Sequence, residues 1–240
     1  MKAVVLCAGY GTRLGELTRE TPKAMLPVAG RPVLEHIVRH LAQHGFDEIA
    51  VNLHFRPELI RERFGDGAAL GVRITYLEEP ELLGTAGTLT ALRAFLQGGP
   101  FLVQYGDILT DHDLSVLAEF HLAHDALLTL LVHDRPGSNS VAVLDGERRV
   151  TAFLERPPLD HPARRESSWV NSGLCMCSPR LLELLPPPPS DLARDVLPGL
   201  AGRPDVFAQP LAGRRVAVDS PERYRQAGMS WETAWADATQ

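Results

Sequence analysis

KAVVLCAGYGTRLGELTRETPKAMLPVAG, residues Lys2 to Gly30, is the stretch from which the fold can be read. It opens with a short apolar run, Lys2 to Ala8, and passes without a break into Gly9-Tyr10-Gly11-Thr12-Arg13. A run of that length is expected to be a buried first strand, not an exported leader, because its apolar part is short and meets Gly, Arg and Glu at once. In open α/β sheets ligands sit at the carboxyl ends of the strands, and the turn after the first strand is the usual phosphate cradle. The glycine turn occupies that place, with Arg13 and Lys23 ten residues apart behind it.

Further along the chain, β-rich runs recur at 48–53, 72–77, 101–105, 126–133, 140–144, 150–154, 170–177 and 215–218. Helical patterns lie between them. The clearest is 32–44, where Val33, Leu34, Ile37, Val38 and Leu41 form one apolar stripe between Pro32 and Gly45. Others are expected at 57–64, 86–96, 113–124, 179–185, 191–200 and 221–236. Strands alternating with helices through the first half predict a parallel, doubly wound sheet, since parallel neighbours need a crossover. Strand following strand from Leu128 to Cys177, through turn signals such as Pro136-Gly137 and Asp145-Gly146, predicts an antiparallel extension. The expected architecture is therefore α/β, a Rossmann-like, mixed but mainly parallel sheet in a three-layer sandwich. Pro186 to Pro189 can be neither helix nor central strand and reads as a stiff connector.

With 240 residues, 45% hydrophobic and 22% charged, the chain suits an ordinary packed core. No apolar run approaches the roughly 18 residues a bilayer span requires. Cys7, Cys175 and Cys177 lack CxxC spacing and read as reduced core residues of a cytoplasmic protein. A net charge of -6 without a Lys/Arg block argues against a nucleic-acid surface. An anionic ligand must therefore be met by positive charge gathered locally.

Two phosphate loops can be tested on the opening stretch. GxxxxGK[ST] is absent, and GxGxxG fails because position 14 is Leu14. What remains is a glycine turn whose backbone N–H groups, Gly9 to Thr12, can approach an anion, followed by an arginine fork and a lysine. That set fits a polyphosphate under attack, where charge develops on the leaving phosphates. Gly9 and Gly11 alone would suit any strand-to-helix turn. Extended through Pro22-Lys23 and Leu26-Pro27-Val28-x-Gly30-x-Pro32, the stretch resembles the signature of the sugar-1-phosphate nucleotidyltransferase (nucleotide-sugar pyrophosphorylase) family, GxGTRLxxLTxxxPKxxLPVxGxP.

The resemblance continues in order through Leu83 to Gly87, Tyr105-Gly106-Asp107, Phe153 to Pro157, Asn171-Ser172-Gly173 and Val218 to Tyr224. It implies a single nucleotidyltransferase domain over 1–240, with a nucleotide-binding half at about 1–125, a sugar-phosphate half at about 126–220 and a C-terminal helix. The reaction implied is attack of a sugar 1-phosphate on the α-phosphorus of a nucleoside triphosphate, with pyrophosphate leaving. Catalytic roles then fall to Arg13 and Lys23, and nucleotide contacts to Leu6, Ala8, Gly9, Gly11, Thr12, Arg13, Gly84, Thr85, Ala86, Gly87 and Gly106. Sugar-phosphate contacts fall to Lys23, Asn139, Ser140, Glu155, Arg156, Asn171 and Gly173. Asp107 and Asp219, each just after an apolar strand run, suit Mg²⁺, which takes hard oxygen ligands.

Leu83-Gly84-Thr85-Ala86-Gly87 looks most like members that use GTP with mannose 1-phosphate. Alternatives are another hexose or heptose 1-phosphate with UTP or dTTP, and a non-catalytic nucleotide-sugar sensor. The chain departs from the pattern at Arg156 (usually lysine), Tyr105 (often asparagine), Asn139-Ser140 (often Tyr-Gly) and Asp219-Ser220-Pro221, a serine-containing variant of the usual Ile-Gly-Thr-Pro neighbourhood. His36, His40 and His44 are expected on a solvated helix face opposite the apolar stripe. Met229, Trp231 and Trp235 are expected to pack the last helix on the body, with a homodimer contact as the alternative.

Overall fold

The computed structural model describes residues 1–237, with side chains through Trp231. Its strands are β1 (Lys2–Leu6), β2 (Pro27–Val28), β3 (Arg31–Pro32), β4 (Glu48–Leu53), β5 (Arg73–Glu78), β6 (Phe101–Tyr105), β7 (Ile108–Thr110), β8 (Leu128–Asp134), β9 (Ser140–Leu144), β10 (Val150–Glu155), β11 (Trp169–Cys177), β12 (Val206–Pro210) and β13 (Arg215–Ala217). The α-helices are α1 (Val33–Gln43), α2 (Pro57–Phe64), α3 (Gly84–Ala91), α4 (Arg93–Leu96), α5 (Leu114–Ala123), α6 (Ala163–Glu166), α7 (Leu197–Leu200) and α8 (Pro221–Asp237).

A seven-stranded sheet carries the order β12-β8-β11-β6-β1-β4-β5. Pairing is parallel between β4 and β5 and between β12 and β8, and antiparallel between β11 and β8. This is the mixed, mainly parallel α/β sheet expected. Ala3, Val4 and Val5 of β1 are fully buried, as a strand covered on both faces requires.

Two features depart from the expected sheet. The antiparallel extension is split: β8 and β11 belong to the main sheet, whereas β9 and β10 form a separate ribbon. Four strands fall outside the runs identified: β12, an edge strand lying parallel to β8, and the short β7, β2 and β3. Short strands bury too few residues to leave a periodic signal.

By contacts the chain forms two compact units, each assembled from separate stretches: Ala3–Leu82, Gln104–His112 and Gly213–Gln240 in one, and Met1–Lys2, Leu83–Val103 and Asp113–Ala212 in the other. In the first, the α1 stripe Val33, Leu34, Ile37, Val38 and Leu41 is buried with Phe46 and Ile49. The helix stops as its sequence predicts: Gly45, at φ 77, donates to Ala42 O at 3.1 Å and Phe46 to Leu41 O at 3.0 Å. In the second, Leu89, Leu96, Phe101 and Leu102 are fully buried.

Several helices are shorter or tighter than expected. The pattern over 86–96 is interrupted at Leu92, giving α3 and α4. Residues Pro179–Leu184 form a 3-10 helix, and 191–200 becomes a π turn, Leu192–Val196, followed by α7.

The solvated histidine face is overturned. His36 is buried, its Nε2 2.7 Å from Val28 O and its ring 6.3 Å from that of Trp231. His40 is partly buried and packs edge-on against His44 at 4.8 Å. α8 and the β2 segment supply a second cover over α1, which no periodicity within α1 can reveal. Trp231 is buried, as expected of a packed helix, whereas Met229 is 75% exposed; the Trp235 side chain lies outside the described residues.

Candidate active site

In the unit built on Ala3–Leu82, the glycine turn follows β1 and leads into a 3-10 helix, Thr12–Thr18, that kinks at Gly15. Gly11 sits at φ 68, where a Cβ would meet Thr18 Cγ2 at 3.0 Å and Lys23 Cβ at 3.3 Å. Glycine is needed there both for the left-handed backbone and for the close approach of Lys23. Thr18 closes the loop by donating its hydroxyl to Gly11 O at 2.9 Å. Gly9 is different: a Cβ there would meet nothing within 4 Å.

The start of the loop is fixed from β4 and β5. Asn52, buried near the end of β4, accepts from the N–H groups of Cys7 (2.6 Å) and Ala8 (3.3 Å) and donates to the buried Glu79 Oε1 (2.9 Å). The Ala8 N–H is thus committed within the chain, and the Leu6 carbonyl accepts from Gly106 N–H at 2.9 Å. His54 lies 2.6 Å from Glu79 O through Nδ1, so its Nδ1–H donates and its Nε2 accepts the Tyr10 hydroxyl. Asn52, Glu79 and His54 escaped the sequence reading. Their one signal was polar residues at the ends of otherwise apolar strands.

Asp107 follows β6, and its placement depends on Gly106. A Cβ at residue 106 would lie 2.5 Å from Cys7 Sγ and 2.8 Å from Leu6 O. The bare α-carbon therefore lets the exit of β6 rest on that of β1. Asp107 then pairs with Lys23 at 2.6 Å, both side chains less than one-fifth exposed. Burial pushes the Cys7 thiol up to about 12, with Asp107 adding and Lys23 opposing. It stays protonated and is no nucleophile.

β7 and β13 pair antiparallel, Ala217 opposite Ile108, and Val218 N–H donates to Asp107 O at 2.8 Å. That register brings Asp219 next to Asp107. Asp219 accepts from Arg13 at 3.2 Å and, through both oxygens, from Arg223 at 2.9 and 2.8 Å. Arg223 stands four residues after Asp219, where an i,i+4 pair is the expected neighbour. Ser220 accepts from Arg223 N–H at 3.3 Å, so this serine caps the helix that carries Arg223. Three cations here face two carboxylates.

The other unit holds the remaining site residues. Gly84, at φ 75, opens α3, and a Cβ on it would collide with Ser190 O. Ser190 O accepts from Ala86 N–H at 2.9 Å and Gly87 N–H at 3.2 Å. Thr85 donates its hydroxyl to Asp191 at 2.9 Å and accepts from Leu192 N–H at 2.8 Å. The polar backbone of the Gly84–Gly87 segment is thus braced on the chain just after the proline connector. Asp191 also caps the π turn, accepting from Ala193 and Arg194 N–H groups.

Glu155 ends β10 opposite Ser140. Burial raises its pKa, the nearby Arg156 guanidinium opposes this, and Asp191 adds to it. Ser140 is buried and accepts from Asn171 N–H at 3.1 Å, and Asn171 Oδ1 accepts from Gly173 N–H at 2.9 Å. Gly173, at φ 85, lies where the β11–β8 register shifts between Asn171 and Cys175. Asn139 and Arg156 are exposed, joined by Arg156 N–H to Asn139 O at 2.5 Å.

Residues 2–200 match the family model described as nucleotidyl transferase. A mannose-1-phosphate guanylyltransferase of Mycobacterium tuberculosis is 34% identical over 204 residues, covering 82% of this chain and 55% of its own. A UTP–glucose-1-phosphate uridylyltransferase of Synechocystis is 33% identical over 216 residues, covering 83% and 55%. The chain spans 55–63% of the length of such curated relatives. The crystal structure of HddC from Yersinia pseudotuberculosis superposes with a TM-score of 0.80 at 22% identity, over 96% of this chain and 99% of that one, and so shares the fold. A match that runs over residues 2–200, most of the chain, makes this protein a member of the nucleotidyl transferase family.

Proposed function

We propose that the chain transfers a nucleotidyl group from a nucleoside triphosphate to a sugar 1-phosphate, with GTP and mannose 1-phosphate as the pair. The observation that carries this reading is the cluster of Arg13, Lys23 and Arg223 around Asp107 and Asp219. A sugar-phosphate oxygen bonds to the α-phosphorus, the bond from that phosphorus to the bridging oxygen breaks, and pyrophosphate leaves with the electron pair. The attacking oxygen is already ionised, so no general base is needed, and charged Arg13 and Lys23 act electrostatically.

In this reading Arg13 exchanges Asp219 for the β- and γ-phosphates, while Arg223 keeps its hold on Asp219. Lys23 exchanges Asp107 for the attacking or the α-phosphate. Gly9 supports the assignment, because nothing in the chain requires a glycine there and a bare backbone suits close approach of an anion. With the Cys7 and Ala8 N–H groups engaged by Asn52, the anion-facing donors begin at Gly9. The nucleotide is assigned to about 1–125 and the sugar phosphate to about 126–220. Gly84 to Gly87 would face the base, and Asn139, Glu155, Arg156 and Asn171 the sugar phosphate.

Asp107 and Asp219 fit Mg²⁺. They are hard oxygen donors on adjoining strand ends, and no group of three or more metal-capable side chains forms among the described residues. Mg²⁺ commonly keeps its waters and takes one or two carboxylates with substrate phosphates. Bound there, it would supply Lewis-acid stabilisation of phosphate charge.

Among the described residues no helix is long and apolar enough to cross a membrane. The test is a matrix of GTP, UTP, dTTP and ATP against sugar 1-phosphates, reading pyrophosphate release with Mg²⁺ varied. Turnover highest with GTP and mannose 1-phosphate is the expected result. A different best pair corrects the substrates, and binding of nucleotide sugar with no turnover anywhere replaces the enzyme reading by the sensor.

A further inference from the structure

The β9–β10 ribbon poses a problem at its open end. Its last paired residues are Ser140 and Glu155, and the Arg156 N–H to Asn139 O bond continues the contact by one step. Beyond that the chain runs into Pro157-Pro158, which has no N–H to donate. A ribbon losing its ladder there would splay, and Asn139 and Arg156 would move with it.

One side chain replaces the missing ladder. Arg164, in α6, donates Nη1 to Ser138 O at 2.9 Å, Nη2 to Pro157 O at 2.8 Å and Nε to Pro158 O at 3.0 Å. Ser138 immediately precedes Asn139, and Pro157 immediately follows Arg156. The guanidinium thus grips both strands of the ribbon one residue outside the pair. α6 has its own footing on that ribbon: Ser167, just past it, donates its N–H to Ala163 O at 3.0 Å and its hydroxyl to Ala142 O of β9 at 2.6 Å.

We infer that Arg164 is a positioning residue for the sugar phosphate, setting the separation of Asn139 and Arg156. Three carbonyls converging on one group match the planar fork of an arginine, and a lysine ammonium presents no such fork. The inference rests on the proposed roles of Asn139, Ser140, Glu155 and Arg156. It adds a residue that touches no substrate and that no motif marks.

The experiment compares Arg164→Ala and Arg164→Lys with the unaltered protein. The readouts are separate KM values for mannose 1-phosphate and GTP, or for the best pair of the matrix, together with Tm. Calorimetric binding of GDP-mannose against GDP supplies a readout independent of turnover. The expected result is a rise in KM for the sugar phosphate on the order of tenfold in both variants, as for loss of a charge-assisted hydrogen bond. KM for the nucleotide should stay within about twofold, and GDP-mannose should lose affinity while GDP does not. Equal rises for both substrates, unchanged values, or full rescue by lysine would overturn the inference. If Arg164→Ala fails to fold, Arg164→Gln, shorter but polar, carries the same comparison. An unaltered protein without turnover or nucleotide-sugar binding would sink the functional reading and this inference together, whereas normal turnover without the KM split sinks the inference alone.

Discussion

Gly106 is a glycine because two neighbours leave no room for anything else. Gly106→Ala sets a methyl 2.5 Å from Cys7 Sγ and 2.8 Å from Leu6 O. We expect a loss of about 1–3 kcal/mol in denaturant unfolding, with kcat falling as the Lys23–Asp107 pair is displaced. Adding Cys7→Ala should recover part of the stability, since it removes the sulfur and leaves the carbonyl; no recovery would locate the clash elsewhere. On the proposed roles, Arg13→Ala and Asp107→Ala should each lower kcat by on the order of a hundredfold, the first by removing positive charge from the leaving phosphates and the second by removing a ligand of the proposed Mg²⁺. Near-normal steady-state turnover in either would overturn its role. Glu155 makes a pH prediction. Burial raises its pKa, so as the pH falls it loses its negative charge before an ordinary glutamate does. KM for the sugar phosphate should therefore climb as the solution becomes mildly acidic, and Glu155→Gln should flatten that profile.

Among the elements, α3 shows how a motif can be legible while its support is not. Leu83 to Gly87 is recognisable as a short glycine-bearing segment. Its Ala86 and Gly87 N–H groups and its Thr85 hydroxyl are held by Ser190 and Asp191, more than a hundred residues away. Thr85→Val removes both the bond to Asp191 and the acceptor for Leu192 N–H. The expected cost is about 1–3 kcal/mol of stability, the desolvation penalty of a buried group left unpaired, with KM for the nucleotide rising several-fold. An unchanged nucleotide KM with lowered Tm would make the contact purely structural. The next helical stretch was expected from residue 191 onward. That the cap would also reach Thr85 was not. α1 repeats the lesson: its apolar stripe and glycine stop are local and were read correctly, but the burial of His36 depends on α8.

Across the whole molecule, buried neutral histidines tie stability to pH. Burial pushes His121 down to about 4, and its Nδ1 lies 3.0 Å from Thr129 Oγ1. The unfolded chain takes up that proton near the ordinary histidine value of about 6.5, while the folded chain resists it until about 4. Stability is thus full above about pH 6.5 and drains away as pH falls toward 4. His121 alone should cost about 2 kcal/mol between pH 7.5 and pH 5. His40, also pushed down to about 4 by burial, acts in the same direction. Urea unfolding at the two pH values measures the sum, and His121→Gln should reduce the difference. An identical difference in that variant would place the acid sensitivity elsewhere.

The sequence by itself determined the class of the sheet, mixed and mainly parallel, most helix positions, and the glycine loop after the first strand with the charges that follow it. Each of these is local: a strand needs only its own apolar run, a helix its own stripe, and a glycine loop its own backbone. Only the tertiary structure decided which charges stand together and what holds them still. Arg13 on Asp219, Asn52 on the loop, Asp191 on Thr85 and Arg164 across the ribbon join residues whose partners are chosen by folding. A hydrogen bond is made in space, and residues distant along the chain give no periodic sign that they will meet.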